Sequence, residues 1–290
     1  MTPGSELILG AVDLYVHAAP DLLPRRADDL GLARECLGAG YRTAVHRHHF
    51  ASTVERATLA TSATGFDLRG AVLLNDAVGG LNPSAVELAL LMGGRWIGMP
   101  TLSAAFHRSH MPAVGPELRS ALEFGPGQLR VVDDSGQVSD EVREILQLCA
   151  TAGAVLNIGY VSPSECEALI ASAPAGSRLV ATNPHTSMRQ DAGQISEMAL
   201  RGVTVELTAY SMHPAGPGRR DPKDAVDAAA RVIRLVGVER CALSSDGGMA
   251  NAPGPGELLG WLADQLLSRG FSPAELTMLT IVNPSRLLDS

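Results

Sequence analysis

"VDLYVHAAPD", from Val12 to Asp21, is a short apolar segment that carries a polar side chain at every second position. In an extended strand successive side chains point to opposite faces, so Asp13, Tyr15 and His17 share one face. The aliphatic residues that alternate with them face the other way, as core residues do. A buried strand that presents a carboxylate, a phenol and an imidazole on one face indicates a functional site at its end.

Similar apolar runs alternate with amphipathic helical patterns along the whole chain, and the helices have recognisable starts such as Asn82-Pro83 and the capping boxes "SPSE" and "SPAE". The predicted strands are Asp13–His17, Thr43–His48, Gly70–Asn75, Trp96–Met99, Ala154–Tyr160, Leu179–Asn183, Val203–Leu207 and Cys241–Asp246. Eight strands separated by helices predict an α/β fold, a (β/α)8 TIM barrel. A doubly wound sheet is the alternative, but no G-x-G-x-x-G motif follows the first strand.

Composition limits the class of protein. The chain has 290 residues, 46% of them hydrophobic, which suits one barrel domain over residues 1–290. A net charge of −8 argues against a nucleic-acid partner. The four cysteines are scattered, there is no signal-peptide pattern, and no apolar run is long enough for a membrane helix. We therefore expect a cytoplasmic protein with reduced thiols and no membrane partner.

One long segment, residues 101–128, follows the fourth predicted strand and looks irregular. In a barrel it would form a lid-like insertion over the active face. His107 and His110 within it are candidates for substrate contact, with a solvated loop as the equal alternative.

Polar residues gather at the carboxyl ends of the predicted strands, which is where barrel enzymes place their chemistry. They are Tyr15, His17, His46, His48, Asn75, Tyr160, Asn183, His185, Glu206 and Asp246. A single histidine is more often a satisfied core residue, and Asp246 in "SSDGG" suits a simple turn. Imidazoles and carboxylates that converge from six strand ends favour a metal site, because a divalent cation relieves their repulsion and desolvation.

The order of motifs resembles the amidohydrolase-like TIM barrels. The chain carries "DLYVHAAPD", "HRH", "VGGLNPSAVELAL", "MPT", "GY", "TNP" and "SSDGG", where a branch of that family has D-L-H-x-H-x-x-P-D, K-x-H, V-G-G-L-N-P, M-P-T, G-H, T-H-P and S-S-D-x-G. The resemblance covers nearly the whole chain. Four positions depart from it: Tyr15, Tyr160 and Asn183 replace histidines, and His46 replaces a lysine.

An altered site of this kind resembles the TIM-barrel nonheme diiron monooxygenases, typified by the enzyme of platensimycin and platencin diterpenoid biosynthesis. That resemblance implies two iron ions, O2 as co-substrate and hydroxylation of a small molecule, often a coenzyme A thioester, in antibiotic biosynthesis. Phenolate is a hard donor that stabilises ferric iron, which is compatible with the added tyrosines.

The first hypothesis is therefore a diiron monooxygenase supplied by an electron donor, with Tyr15, Tyr160 and Asn183 as catalytic side chains. Zinc or manganese is the alternative metal, and a homo-oligomer is compatible with the sequence. The expected metal ligands are His17, His46, His48, His185, Glu206 and Asp246. Arg25, Arg26, Arg219 and Arg220 are candidates for the phosphates of a coenzyme A carrier, although surface solubility explains each arginine alone as well.

Two other functions stay open. The second hypothesis is a metal-dependent hydrolase of an amide, ester, lactone or thioester, with Asp246 as the general base. The third is a barrel that has lost catalysis and serves as a binding partner. The retained His17, His48, Glu206 and Asp246 speak against the third.

Overall fold

The computed structural model describes residues 2–110, 116–217 and 221–289, and of residues 116–118 only the backbone. Its strands are β1 Val12–Val16, β2 Thr43–His46, β3 Asp67–Leu73, β4 Trp96–Gly98, β5 Val155–Asn157, β6 Arg178–Thr182, β7 Thr204–Thr208 and β8 Cys241–Ser244. They form one eight-stranded sheet in sequence order. Val16 of β1 also pairs in parallel with Gly247, just past β8. The predicted (β/α)8 TIM barrel is confirmed.

Helices alternate with these strands along the chain. They are α1 Pro3–Leu7, α2 Asp29–Gly38, α3 Val54–Thr64, α4 Pro83–Leu91, α5 Ala105–His110, α6 Pro116–Leu122, α7 Asp140–Thr151, α8 Pro163–Ser172, α9 Pro184–Ser187, α10 Ala192–Leu200, α11 Pro222–Val236, α12 Pro255–Leu267, α13 Pro273–Thr277 and α14 Asn283–Leu288. Short 3-10 helices cover Asp76–Val78 and Val238–Arg240, and a π-helix covers Met278–Val282. Both predicted capping boxes, at Ser162–Glu165 and Ser272–Glu275, are present.

The predicted strand ends need correction. Seven strands end one to three residues earlier than predicted, so most of the candidate side chains lie in the loops that follow them. Tyr15 and His46 instead lie in β1 and β2, and His185 lies in α9. Glu206 lies inside β7, fully buried, rather than at a strand end. The segment 101–128 is not irregular throughout, because it contains α5 and α6. Its residues 111–115 lie outside the described residues, and its role as a lid stays a prediction.

The chain divides into two compact units. The first unit comprises Met1–His46, Arg56–Arg69 and Val205–Ser290 and holds β1, β2, most of β7, and β8. Its core includes the apolar faces of α11 and α12, with Ile233 and Leu262 fully buried. Burial of such aliphatic side chains contributes roughly 1.5–3 kcal/mol each.

The second unit comprises Arg47–Glu55 and Gly70–Thr204 and holds β4, β5, β6 and most of β3. One face of α7 is buried through Val142, Ile145, Leu146 and Cys149. This unit also buries a cation: Arg47 is 2% exposed, with its guanidinium 4.0 Å from the centre of the Trp96 ring.

All four cysteines are buried and none forms a disulfide, as the sequence predicts. Within the described ranges, no helix combines the length and the apolar character that crossing a bilayer demands.

Gly70 in β3 makes the packing of α3 testable. A Cβ atom added at Gly70 would lie 2.3 Å from the Cα atom of Val54, at the first turn of α3. Because that neighbour is backbone, we expect Gly70→Ala to lower the free energy of unfolding by about 3 kcal/mol. Urea denaturation measures it.

Gly38, at the end of α2, is the matched control because an added Cβ meets no atom within 4 Å there. We expect Gly38→Ala to be neutral or slightly stabilising. Equal changes in the free energy of unfolding for the two substitutions would contradict the close approach of Gly70 to Val54.

Candidate active site

His17 and Asp246 are in contact, although they lie at opposite ends of the sequence. His17 follows β1 directly and Asp246 comes two residues after β8. The His17 Nε2 atom lies 3.2 Å from the Asp246 Oδ1 atom, and the side chains are 4% and 20% exposed. An imidazole and a carboxylate are thus held together with the carboxylate facing solvent.

The backbone fixes this pair. The His17 N–H donates to the Gly247 carbonyl oxygen at 2.8 Å. Gly248 has a φ of +123°, and a Cβ atom there would lie 2.1 Å from the His17 carbonyl oxygen, so only glycine fits. Asp246 itself has a φ of +54°, a left-handed conformation that costs a non-glycine residue on the order of 1 kcal/mol and is common at functional sites.

Asp13 connects the two segments that carry the pair. Its Oδ1 atom accepts the N–H groups of Ser245 at 3.0 Å and Tyr15 at 3.1 Å. The carboxyl is fully buried. Burial raises the pKa of Asp13 to about 7, with a smaller contribution from the charge of Glu206, while the hydrogen bonds from Ser245 and Tyr15 oppose the rise.

Two phenols belong to the same unit. Tyr15 is 3% exposed, and its ring centre lies 4.9 Å from that of His17. Tyr210 follows β7, and its N–H donates to the Ser245 carbonyl oxygen at 2.9 Å. Burial and the negative charge of Asp246 raise the Tyr210 pKa, and the positive charge of Arg25 acts against them. Tyr210 therefore keeps its proton at neutral pH.

His46 and Glu206 make contacts away from Asp246. The Nδ1 atom of His46 lies 3.1 Å from the Asp29 Oδ1 atom, and its Nε2 accepts the Ala18 N–H at 3.2 Å. With both ring nitrogens engaged, His46 is placed to hold the loop after β1 against α2, and this does not suit a metal ligand. Glu206 accepts a hydrogen bond from the Ser244 hydroxyl at 2.6 Å.

The Asp29 carboxylate also binds Arg56, whose Nε lies 2.8 Å from Oδ2. Burial would raise the pKa of Asp29, but the hydrogen bonds from His46 and Arg56 outweigh it and lower that pKa. Arg56 in turn donates to the carbonyl oxygens of Ala19 and Pro20. The network anchors the loop that follows His17.

The remaining predicted site residues lie in the second unit. The Nδ1 atom of His48 accepts the Phe50 N–H at 3.0 Å, so the neutral ring carries its proton on Nε2. Tyr160 is half-buried, with its ring centre 5.1 Å from that of His107. Asn183, with a φ of +46°, precedes α9, and His185 lies within that helix.

His107 and His110 belong to the segment predicted to cover the site. Burial lowers the pKa of His107 to about 4, with smaller contributions from Arg108 and His110. His107 is therefore neutral at physiological pH. His110 is exposed and its Nδ1 lies 2.9 Å from the Phe106 carbonyl oxygen.

The second unit also contains a polar network around the candidate Asn75, whose partners the sequence did not indicate. Asn75 accepts the N–H groups of Thr101 and Ser103 through its Oδ1 atom, at 2.9 and 3.0 Å. Its Nδ2 group donates to the Thr101 hydroxyl and to the His49 carbonyl oxygen. All of the hydrogen-bonding capacity of this side chain is used in holding the loops after β2 and β4.

The His17–Asp246 pair has the spacing of two neighbouring ligands of one metal ion. Ligand atoms about 2.1 Å from a metal lie roughly 3.0 Å apart in octahedral and 3.4 Å apart in tetrahedral geometry. The 3.2 Å between His17 Nε2 and Asp246 Oδ1 falls within this range. Among the residues that the structure describes, no three His, Cys, Asp or Glu side chains are grouped to hold an ion.

The fold is a (β/α)8 barrel with a histidine directly after its first strand and an aspartate two residues after its eighth. The chain belongs to the family of unknown function DUF6282, whose profile matches residues 10–206. The comparison with curated proteins gives no match.

Solved structures support the fold. An amidohydrolase from Pseudomonas aeruginosa is 14% identical with a TM-score of 0.67, covering 99% of this chain and 98% of its own. The probable dipeptidase PvdM of the same organism is 14% identical with a TM-score of 0.64, covering 98% and 96%. A probable 2-pyrone-4,6-dicarboxylic acid hydrolase from Acinetobacter baumannii, with citric acid bound, is 11% identical with a TM-score of 0.57, covering 96% and 98%. At these identities the similarity establishes the fold alone.

Several residues of the pair's surroundings were not predicted as site residues. Asp13 could have been found, because it shares a strand face with Tyr15 and His17. Tyr210 and Asp29 give no local signal, since their contacts are with residues distant in sequence. The predicted Arg219 and Arg220 lie outside the described residues.

The raised pKa of Asp13 makes stability depend on pH. Unfolded Asp13 ionises near 3.8 and folded Asp13 near 7. Between these two pKa values the folded state binds more protons than the unfolded state. The stabilising contribution of protonated Asp13 is therefore lost as the pH rises through 7. We expect Asp13→Asn to become more stable relative to wild type by about 3 kcal/mol between pH 5 and pH 8, measured by urea denaturation.

The exposed Asp134 provides the control, because Asp134→Asn is expected to shift stability equally at both pH values. If Asp13→Asn and wild type lose stability in parallel from pH 5 to pH 8, the buried carboxyl is not neutral in the folded protein.

Proposed function

We propose that the protein is a metal-dependent hydrolase that cleaves an ester, lactone, thioester or amide bond of a small molecule. The observation that carries the proposal is the contact between His17 and Asp246, with a partly open carboxylate beside a buried imidazole. The structural neighbours support hydrolysis, because their names describe an amidohydrolase, a dipeptidase and a dicarboxylic acid hydrolase.

His17 and Asp246 would hold one divalent cation. Such an ion lowers the pKa of a water molecule toward ~7 and polarises a carbonyl group. Zinc, manganese and iron all suit a set of nitrogen and oxygen donors.

The residues around the ion would move the protons. Asp246 takes the proton that the attacking water loses and returns it to the leaving oxygen, sulfur or nitrogen. His17 is oriented by its backbone hydrogen bond to Gly247 and by the packing of Tyr15. Tyr210 carries a phenol proton at neutral pH because its pKa is raised, and it donates a hydrogen bond to the oxygen on which negative charge develops.

A second candidate is a nonheme diiron monooxygenase, which would convert a C–H bond, O2, two electrons and two protons to an alcohol and water. Tyr15, whose ring centre lies 4.9 Å from that of His17, favours it, since a phenolate oxygen stabilises ferric iron. This function requires an external electron donor and a second iron. Oxygen uptake distinguishes it from hydrolysis.

The hydrolase is tested with 4-nitrophenyl esters, lactones and dipeptides, with protein loaded with Zn2+, Mn2+ or Fe2+. We expect hydrolysis of at least one substrate class, and a kcat/KM lowered by about 100-fold or more in Asp246→Asn, because a general base contributes about that much. His17→Gln is expected to lose a similar factor. Asp134→Asn, which alters an exposed side chain in the second unit, is the control and should retain activity.

Two results would contradict this function. One is an Asp246→Asn variant that hydrolyses the substrates at the wild-type rate. The other is oxygen consumption by the iron-loaded protein with a reductant and substrate, without hydrolysis of any ester, lactone or dipeptide. That second result would instead support the monooxygenase.

A further inference from the structure

Arg25 is a buried cation in the loop that follows β1. Its side chain is 1% exposed, and that of Asp21 is 0% exposed. The Arg25 Nε group donates to the Asp21 Oδ2 atom at 2.6 Å, while the Asp21 Oδ1 atom accepts the Leu23 N–H. Asp21 thus fixes one edge of the guanidinium and balances its charge.

The other end of the guanidinium lacks strong acceptors. The Nη1 atom of Arg25 lies 2.7 Å from the Met249 sulfur, and a thioether is only a weak acceptor. The buried Nη2 atom has no hydrogen-bond partner within the described ranges 2–110, 116–217 and 221–289. A buried donor without a partner costs about 1–3 kcal/mol. Arg25 therefore presents two N–H groups that an oxygen anion would satisfy.

These N–H groups belong to the same part of the fold as the reacting pair. Arg25 pairs antiparallel with Met249, three residues after Asp246. The adjacent Arg26 N–H donates to the Gly248 carbonyl oxygen at 2.9 Å. The charges of Arg25 and Asp246 both act on the pKa of Tyr210, so the three side chains lie near one another. An anion on Arg25 would consequently lie beside the residues proposed to act on the substrate.

We propose that Arg25 binds a carboxylate group of the substrate, and that the Met249 side chain covers the guanidinium until the substrate displaces it. The proposal rests on the hydrolase function in one respect, since it takes the His17–Asp246 pair as the reacting centre. It gives that function a substrate class: esters, lactones, thioesters or amides that also carry a carboxylate.

The charges favour a carboxylate over a phosphate. The two Nη groups match the two oxygens of a carboxylate. Asp21 already neutralises the charge of Arg25. A phosphate dianion would meet more repulsion there than a monoanionic carboxylate. Methionine is flexible and polarizable, which suits a displaceable cover.

Binding of succinate, glutarate and adipate, measured by isothermal titration calorimetry, tests the proposal without reference to activity. We expect wild type to bind at least one of them and Arg25→Lys to bind it at least 10-fold more weakly. Lysine keeps the charge that Asp21 needs, so the variant should fold, which a thermal melt verifies. Lysine lacks the planar guanidinium that binds a carboxylate through two parallel N–H groups.

Arg26→Lys is the matched control. Arg26 is the neighbouring arginine, 39% exposed and paired with Glu35, and its replacement should leave dicarboxylate binding unchanged. Met249→Ala removes the cover and should bind the dicarboxylate more tightly than wild type. Weaker binding by Met249→Ala would overturn the covering role.

The proposal fails if wild type binds none of the dicarboxylates, if Arg25→Lys binds as tightly as wild type, or if inorganic phosphate binds in their place. Activity separates this failure from failure of the hydrolase. With 4-nitrophenyl hydrogen glutarate and 4-nitrophenyl pentanoate, Arg25→Lys should lower kcat/KM about 10-fold or more for the acidic ester only. Hydrolysis with no acidic preference would leave the hydrolase standing and overturn the role of Arg25.

Discussion

The candidate site depends on a hydrogen bond from the Ser245 N–H to the buried carboxyl of Asp13. The same Asp13 Oδ1 atom accepts the Tyr15 N–H. One side chain thus connects β1 with the loop that follows β8. His17 lies two residues past Tyr15, and Asp246 directly follows Ser245. Without this connection the contact between the imidazole and the carboxylate would depend on two separate loops. The barrel places the ends of β1 and β8 near each other, and the hydrogen bonds of Asp13 fix the two segments in place.

A consequence of this arrangement is that polar groups with different environments are close in one unit. Asp13 is buried and its pKa is raised to about 7, whereas the Asp246 side chain is 20% exposed. Tyr210 holds its proton more tightly than an ordinary tyrosine. A carboxylate that accepts protons and a phenol that donates a hydrogen bond are the groups that hydrolysis requires. Arg25 adds a cation whose remaining N–H groups suit an anionic substrate.

The barrel could be predicted from the sequence because its signals are local. Alternation in "VDLYVHAAPD" predicted β1, and the pattern Ser-Pro-Ser-Glu predicted the start of α8 at Pro163. Strand ends were less predictable. β5 ends at Asn157 rather than Tyr160, because Gly159, at a φ of +80°, turns the chain away from the extended form.

The site could be predicted only in part. His17 comes one residue after β1 and Asp246 two residues after β8, so the order of strands in a barrel predicts that they lie near each other. His46 has the same sequence context, but contacts with Asp29 and Ala18 engage both of its ring nitrogens. Glu206 looks like a strand-end carboxylate and lies within the strand instead. Such outcomes depend on tertiary contacts that no spacing in the sequence reveals.

Titration of Zn2+ into metal-free protein tests most directly whether His17 and Asp246 form a metal site. We expect wild type to bind one ion per chain. Affinity should fall about 100-fold or more in Asp246→Asn and His17→Gln, since each removes one of two neighbouring ligands, and should persist in His46→Gln if that variant folds. Undiminished binding by Asp246→Asn and His17→Gln, or no binding by wild type, would contradict the proposed site.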